Sequence, residues 1–174
     1  DGVVVHVRSL TKVTSPSLRV GAVAARGPVV DRLRAIQIVD SFFVSRPLQE
    51  AALELVGAPA WPRHLRTVAA ELRHRRDVLA GALRRELPSL ELPHLPYGGY
   101  QLWVRPTGYG DDAAFAAAAL RAGVAVAPGR PYFCAEPPGP HVRLSFAGVA
   151  GPGELVEAVQ RLRTGLADGL GPNA

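Results

Sequence analysis

Ser9-Leu10-Thr11-Lys12, followed seven residues after the lysine by Arg19-Val20-Gly21, is the stretch from which the rest of this chain can be interpreted. Lys12 is the only lysine, so nineteen of the 20 basic residues are arginines (20 − 1). Guanidinium stays protonated in proteins, whereas a lysine amine can attack a carbonyl. A chain that uses arginine for almost every positive charge therefore suggests that Lys12 is kept for its amine. Codon bias with one accidental lysine is the alternative that composition leaves open.

Length and composition limit the class of protein. A chain of 174 residues suits one domain of ordinary size or slightly more, and a hydrophobic fraction of 48% is enough for a core. No apolar run reaches the ~20 residues that a membrane helix needs. Cys134 is the single cysteine, which excludes an internal disulfide and fits a reducing cytoplasm. Because the chain has no methionine and opens at Asp1, we expect a piece of a longer protein.

The net charge of +5 raises the possibility of a nucleic-acid partner. The arginines are scattered, however, and aromatic residues do not alternate with them as in a single-strand binder. The densest set falls on one predicted helix, where a solvated helix face is the favoured interpretation. The five histidines lack metal-ligand spacing, and Cys134 has no partner cysteine, so we predict no metal site. The arginine set is Arg63, Arg66, Arg73, Arg75, Arg76, Arg84 and Arg85.

Apolar periodicity and the positions of Pro and Gly predict two strands and three helices in the first half of the chain. The last helix, of ~25 residues, is long enough to connect two domains. The strands are Val3–Val7, predicted to be buried, and Leu18–Ala25; the helices are Pro28–Asp40, Leu48–Val56 and Pro62–Leu87.

In the second half of the chain, the same signals predict the order β, β, α, β, β, α. Such an order favours an α+β layer, with helices on one face of a mainly antiparallel sheet. Asp111 or Asp112 is placed to cap the first of its helices. The strands are Leu90–Leu92, Tyr100–Val104, Val124–Ala127 and Val142–Phe146; the helices are Ala113–Ala122 and Glu154–Leu166.

The segment around Lys12 lies between two predicted strands, in a loop of the kind that binds ligands at strand ends. The hydroxyls of Ser9 and Thr11, with the guanidinium of Arg19, have the chemistry of a phosphate cradle, since arginine matches phosphate oxygens with forked, charge-assisted bonds. Lys12 would lie beside the phosphorylated ligand. If that ligand carries an aldehyde, the amine can form a Schiff base with it.

Four segments, in order, resemble class I/II (fold type I) aminotransferases that use pyridoxal phosphate. Ser9-x-x-Lys12-x6-Arg19-Val20-Gly21 is similar to the family's cofactor-lysine motif. The other segments are Pro96-Tyr97-Gly98-Gly99-Tyr100-Gln101-Leu102-Trp103, Gly123-Val124-Ala125-Val126-Ala127-Pro128-Gly129 and His141-Val142-Arg143-Leu144-Ser145-Phe146. The resemblance implies an α/β chain that forms the C-terminal part of this fold. Residues 1–60 would end the large-domain sheet, 61–87 would form the interdomain helix, and 88–174 the small α+β domain.

The resemblance also implies a role for each candidate site residue. Lys12 would bind the cofactor covalently and move the proton at the substrate Cα. Ser9, Thr11 and Arg19 would hold the cofactor phosphate, and Arg143 would hold a substrate carboxylate. The family's residues that hold the pyridine ring lie upstream of the lysine and are outside this sequence, so we expect the fragment alone to be inactive.

Two functions of different class fit the resemblance. The segment Phe42–Ala52 and the Arg-His-Leu-Arg segment near Trp61 look most like the MocR branch of GntR-type regulators. In that branch a DNA-binding winged helix precedes an aminotransferase-like domain that senses pyridoxal phosphate or an amino compound. A true aminotransferase is the alternative, and a basic, ligand-free structural module is the third hypothesis. The first two imply a cytoplasmic homodimer with an amino-acid-like ligand, and the regulator would contact DNA only through a preceding domain.

Overall fold

A computed structural model describes residues 4–167 of the chain. The chain divides into two compact units, Asp1–Val68 (unit 1) and Ala69–Ala174 (unit 2), and the division falls inside one long helix. The predicted boundaries at residues 60 and 87 stay a prediction. No helix within residues 4–167 is both long and apolar enough to cross a membrane.

Unit 1 combines a two-stranded antiparallel sheet with helices. Its strands pair with Ser9 opposite Gly21, so the residues between them form a closed loop. The elements are β1 (His6–Ser9), the 3-10 turns η1 (Leu10–Lys12) and η2 (Pro16–Leu18), β2 (Gly21–Ala24), and the helices α1 (Val29–Asp40), α2 (Arg46–Gly57) and the start of α3 (Trp61–Glu86).

The β1–β2 ladder needs a glycine at position 21. A Cβ at Gly21 would lie 2.8 Å from the carbonyl oxygen of Arg8 and 3.7 Å from the Cα of Ser9. Backbone atoms cannot move aside as a flexible side chain can, so a larger residue would push the two strands apart. The glycine at the end of Arg19-Val20-Gly21 is therefore explained by close packing of the two strands.

The prediction that the first strand is buried is wrong for the part the structure describes. All four residues of β1 are exposed, as are all four of β2, and Val7 is 70% exposed. The predicted first residue, Val3, lies outside the described residues; of the residues that are described, Val4 and Val5 precede the strand, which begins at His6. A β-branched run indicates a strand that can be buried, but burial also needs a second layer, and residues 4–68 bury only Leu18 and Ala52 among their hydrophobic side chains.

Unit 2 has the predicted order β, β, α, β, β, α. Its four-stranded sheet has the order β3-β4-β6-β5, and every pair of neighbours is antiparallel. The elements after α3 are β3 (Leu90–Glu91), β4 (Gln101–Pro106), α4 (Asp112–Arg121), β5 (Ala127–Pro128), the 3-10 turn η3 (Arg130–Tyr132), β6 (Val142–Ser145) and α5 (Pro152–Ala167).

The core of unit 2 lies between one face of this sheet and the helices. Along β4 and β6, Leu102, Val104, Val142 and Leu144 alternate with less buried residues, as expected when successive side chains point to opposite faces. The helices contribute most of the other buried positions, among them Leu83, Phe115 and Leu162. The opposite face of the sheet therefore presents its alternate residues away from the core.

The strand predicted at Val124–Ala127 is shorter than expected and begins at Ala127. The N–H of Val124 donates to the carbonyl of Ala119 at 2.9 Å, and Gly123 adopts the left-handed φ of 77° that ends many helices. Val124 therefore completes the end of α4 and cannot donate to the sheet.

Two of the arginines on α3 are not part of a solvated face. Arg75 donates from Nη1 to the carbonyl of Val149 at 2.8 Å, and Arg76 donates from Nη1 to the carbonyl of Pro96 at 2.8 Å. Their side chains are only 15% and 12% exposed. The solvated-face prediction was wrong for these two, because long side chains on a helix can reach backbone carbonyls of distant loops.

The two aspartates at the start of α4, Asp111 and Asp112, bind backbone N–H groups of two different helical segments. Asp111 caps α4 by accepting from the N–H groups of Ala113 and Ala114 at 3.3 and 3.1 Å. These two backbone hydrogen bonds lower the pKa of the Asp111 carboxyl from its ordinary value. Asp112 is buried and accepts the N–H of Arg130 at 2.6 Å, so it holds the first residue of η3.

Candidate functional site

The candidate site in unit 1 is the lysine loop, residues 10–20, which connects β1 to β2. The pairing of Ser9 with Gly21 closes its base. The N–H of Leu10 donates to the carbonyl of Val20 at 3.0 Å, which extends the pairing by one step. Two short 3-10 turns then fill the loop. Such a loop is fixed at both ends by the strands and presents its polar side chains from a defined backbone.

Lys12 is the last residue of η1 and is exposed. Thr11 precedes it and is half-buried, and Ser9 is the exposed residue that ends β1 and begins the turn. The turn ends where the N–H of Val13 donates to the carbonyl of Leu10 at 3.1 Å. Three of the four residues predicted to bind the phosphorylated ligand therefore lie within four consecutive positions: Ser9, Thr11 and Lys12.

Arg19 has a left-handed backbone, with φ 49° and ψ 25°, at the end of η2. A non-glycine residue in this region is uncommon, and such residues are concentrated at functional sites and tight switches. The conformation ends the second 3-10 turn and directs the chain into β2. Arg19 is exposed, so its guanidinium is accessible to a ligand.

Internal hydrogen bonds hold the middle of the lysine loop. The hydroxyl of Thr14 donates to the carbonyl of Leu10 at 2.8 Å, and the hydroxyl oxygen of Ser15 accepts from the N–H of Ser17 at 3.2 Å. Leu18 is the buried side chain of the loop. Together these contacts make the loop a structured ligand-binding candidate rather than an open connection.

A histidine that the sequence analysis missed contacts the same loop. His64 lies in the first turns of α3, and its Nε2–H donates to the carbonyl of Val13 at 2.6 Å. The ring of Trp61 stacks on His64, with ring centroids 5.6 Å apart. His64 and Val13 are 51 residues apart, so neither periodicity nor motif spacing could have identified the contact.

In chemical terms, the predicted site residues in and beside the lysine loop offer the amine of Lys12, the hydroxyls of Ser9 and Thr11, and the guanidinium of Arg19. The hydroxyls and guanidinium are hydrogen-bond donors suited to phosphate oxygens, and the amine is a potential nucleophile toward an aldehyde. This donor set fits a ligand that carries both a phosphate and an aldehyde. The roles of Ser9, Thr11, Lys12 and Arg19 remain predictions.

The candidate residue of unit 2 is Arg143, at the second position of β6. Its neighbours Val142 and Leu144 are buried in the core, so alternation places Arg143 on the opposite face of the sheet, where it is half-buried. Across β4, Arg143 pairs with Trp103 in the ladder. None of the ion pairs formed within residues 4–167 includes Arg143.

Aromatic side chains surround this face of the sheet. The guanidinium carbon of Arg143 lies 4.5 Å from the centroid of the Tyr132 ring. Trp103 stacks on His141 with centroids 5.4 Å apart, and Phe133 contacts both rings. We call Trp103, Tyr132, Phe133 and His141 the aromatic face. The sequence motif around Arg143 did not predict Tyr132 as its neighbour.

The Gly98-Gly99 segment precedes β4, the central strand next to β6. Gly99 has a left-handed φ of 95°, which the chain uses to turn into β4. The carbonyl of Tyr100 accepts the N–H of Phe146 at 2.9 Å, and partial burial raises the pKa of the Tyr100 phenol. The positive φ accounts for Gly99 as a turn residue.

Of the five predicted site residues, Thr11, Lys12 and Arg19 lie in the lysine loop, and Ser9 ends the strand that precedes it. Arg143, the fifth, lies in unit 2 on the exposed side of a packed sheet. Cys134 is exposed, and no group of three or more metal-binding side chains could hold an ion in the part of the chain that the structure describes.

Comparison with known proteins identifies relatives over nearly the whole chain. The model of the family described as aminotransferase class I and II matches residues 2–162. The uncharacterized HTH-type transcriptional regulator YdfD of Bacillus subtilis is 29% identical over 147 residues, covering 84% of this chain and 30% of YdfD. Aminotransferase tdiD of Emericella nidulans is 28% identical, covering 97% of this chain and 39% of tdiD.

A solved aminotransferase structure has the same fold as this chain. The α-aminoadipate aminotransferase LysN of Thermus thermophilus, complexed with N-(5'-phosphopyridoxyl)-L-leucine, superposes with a TM-score of 0.84. The identity is 25%, and the match covers 94% of this chain and 42% of LysN. The chain therefore spans less than half of the length of each of these three relatives.

Proposed function

Because this chain belongs to the aminotransferase class I and II family, we propose that it is the pyridoxal-phosphate-binding part of a MocR-type regulator of the GntR family. The lysine loop is the observation that carries the proposal. It presents the only lysine of the chain from a turn that also carries Ser9 and Thr11, and it ends at Arg19. The similarity to an HTH-type regulator supports regulation rather than catalysis.

The residues of the lysine loop fit pyridoxal 5'-phosphate. Ser9, Thr11 and Arg19 would bind its phosphate, since two hydroxyls and a guanidinium supply donors for an anion. When bound, the cofactor supplies an aldehyde for an amine and a ring that withdraws electrons from the carbon attached to that amine. Lys12 would anchor the cofactor, and its amine would hold or accept the proton of the ligand Cα.

Arg143 would bind the carboxylate of an amino-acid-like ligand. Its planar guanidinium can donate two parallel hydrogen bonds to a carboxylate, and it makes no ion pair within residues 4–167. In a regulator, ligand binding shifts the protein between states only through a difference in affinity for those states. We further propose a cytoplasmic homodimer that contacts DNA through a domain outside this chain.

A genuine aminotransferase is the second candidate. The similarity to tdiD and to LysN favours it, and the residues proposed here would serve amino-group transfer as well as sensing. In that case Lys12 would move the proton at the substrate Cα, and Arg143 would orient the substrate. A basic winged-helix segment upstream in the reading frame indicates the regulator, and its absence indicates the enzyme.

Reduction with borohydride tests the cofactor proposal directly. The full-length protein is incubated with pyridoxal phosphate, reduced and digested, and the labelled peptides are identified by mass spectrometry. Because this chain has one lysine, a label within it can only be on Lys12. The matched control is Lys12→Arg, which keeps the charge and removes the amine. A wild-type protein without a label at Lys12 would exclude both candidate functions and favour a ligand-free module.

Turnover then separates the two candidates. The protein loaded with pyridoxal phosphate, without reduction, is assayed with the twenty common L-amino acids and 2-oxoglutarate. A regulator should show spectral changes without repeated turnover, whereas an aminotransferase should form glutamate catalytically and lose this activity in Lys12→Arg.

A further inference from the structure

The ring of Tyr132 restricts Arg143 from one side. The guanidinium carbon lies 4.5 Å from the ring centroid, within the range of a cation–π contact. A cation–π contact is made with the ring face and not with a hydrogen-bond acceptor atom, so it leaves guanidinium N–H donors for a carboxylate. The contact therefore orients the side chain without using the donors that a carboxylate needs.

Several elements fix Tyr132 itself. It ends η3, whose first N–H, that of Arg130, donates to the buried carboxylate of Asp112 at 2.6 Å. The N–H of Tyr132 donates to the carbonyl of Gly129 at 2.9 Å, and the ring meets the edge of Trp103 with centroids 6.1 Å apart. The ring is thus connected to α4, to the start of η3 and to β4.

The burial of Asp112 shows that this connection is built into the core. Asp112 is 4% exposed, and a buried carboxylate is costly unless hydrogen bonds satisfy it. The backbone of η3 supplies such a bond, so α4 and η3 are held in one arrangement. Tyr132 is 51% exposed, which places its ring at the surface of a rigid turn.

We propose that Tyr132 is a positioning residue for Arg143, held in place by the Asp112–Arg130 hydrogen bond, and that it prepares the guanidinium to receive the carboxylate of an amino-acid ligand. This inference rests on the proposed role of Arg143. An arginine side chain has many rotamers, and restricting them before binding lowers the cost of ordering the side chain when the ligand arrives. The benefit should be seen only with ligands that carry a carboxylate.

The test compares three variants of the full-length protein loaded with pyridoxal phosphate. Tyr132→Leu removes the aromatic ring, Tyr132→Phe keeps it, and Arg143→Leu removes the guanidinium. The probes are the twenty common L-amino acids and, for those that change the visible spectrum of the wild type, the matching decarboxylated amines. The readout is the ratio of the affinity for the amino acid to that for its amine.

We expect Tyr132→Leu to lower this ratio about 3- to 10-fold and Tyr132→Phe to restore it, while affinity for the amine stays unchanged. A purely structural role of the ring would weaken amino acid and amine alike, which would overturn the proposal. A ratio unchanged in Tyr132→Leu but lowered in Arg143→Leu would also overturn it and leave the proposed function intact. If no amino acid changes the spectrum, or if Arg143→Leu leaves the ratio unchanged, the carboxylate role of Arg143 fails.

Discussion

Gly129 donates its N–H to the carbonyl of His141 at 2.7 Å, and the two backbones are too close for a side chain at position 129. A Cβ there would lie 2.5 Å from the carbonyl oxygen of His141 and 2.8 Å from the Cη2 atom of Trp103. The glycine thus allows the turn before η3 to pack against β6. This close approach sets the distance between the turn that carries Tyr132 and the strand that carries Arg143.

We predict that Gly129→Ala destabilises the protein by about 1–3 kcal/mol, the usual cost of forcing an extra carbon into a packed site. The backbone of β6 or the Trp103 ring would have to move to admit it. Urea unfolding of the full-length protein, followed by tryptophan fluorescence, measures the change. Gly110→Ala is the matched control, because a Cβ at Gly110 meets nothing within 4 Å. Equal stability of the two variants would contradict the prediction.

The sequence was sufficient to predict the order of elements in unit 2 and the fold class. Periodicity distinguished helices from strands, and the strand predicted at Val142–Phe146, which carries Arg143, is present as Val142–Ser145. Thr11 and Lys12 lie in a connection between two strands, as the sequence predicts, whereas Arg19, predicted inside the second strand, precedes it, since β2 begins at Gly21. Features set by neighbours in the chain were therefore predictable.

Contacts between distant residues were not predictable in the same way. His64 meets Val13 across 51 residues, and Asp112 meets Arg130 across 18. Both pairs depend on how packed elements are placed, which no local pattern encodes. The exposure of β1 also could not be inferred, because the same β-branched run suits a strand with or without a second layer over it.

The His64 contact leads to a prediction for the lysine loop. Replacing His64 with Ala removes the donor to the carbonyl of Val13 and should loosen the residue that follows Lys12. We expect affinity for pyridoxal phosphate to fall about 3- to 10-fold, which corresponds to the loss of one hydrogen bond. Titration of the visible absorbance measures it.

Two variants control this experiment. His64→Gln can place an amide donor near the same carbonyl and should restore part of the affinity. His74→Ala removes an exposed histidine from the same helix and should leave the affinity unchanged. A cofactor affinity that is the same in His64→Ala and the wild type would show that the contact does not support the loop.

Arg75 provides a prediction about the stability of unit 2. It donates to the carbonyl of Val149 at 2.8 Å and pairs with Glu71 at 2.7 Å from a largely buried position. Arg75→Ala leaves the carbonyl without this donor and should cost about 1.5–3 kcal/mol, the range for hydrogen bonds that involve a charged group. Arg73→Ala, an exposed arginine on the same helix, should change stability by less than about 0.5 kcal/mol. Urea unfolding measures the free energy of unfolding of both variants. Similar small losses in both would show that Arg75 contributes no more to stability than an exposed arginine does.

The contribution of Asp111 to the stability of the fold should depend on pH, and the direction of the change follows from its lowered pKa. Backbone hydrogen bonds from Ala113 and Ala114 lower the pKa of its carboxyl in the folded protein, so the carboxylate stabilises the fold fully above the unfolded pKa, about 3.9. That contribution is lost as the pH falls through the lower folded pKa. Asp111→Asn keeps a good cap without a charge, so its Tm should be below that of the wild type at neutral pH and converge with it in acid. Asp111→Ala, which has no acceptor, should stay lower than both near pH 7. Thermal unfolding between about pH 2 and pH 7 tests this, and a difference between wild type and Asp111→Asn that does not shrink below about pH 4 would contradict it.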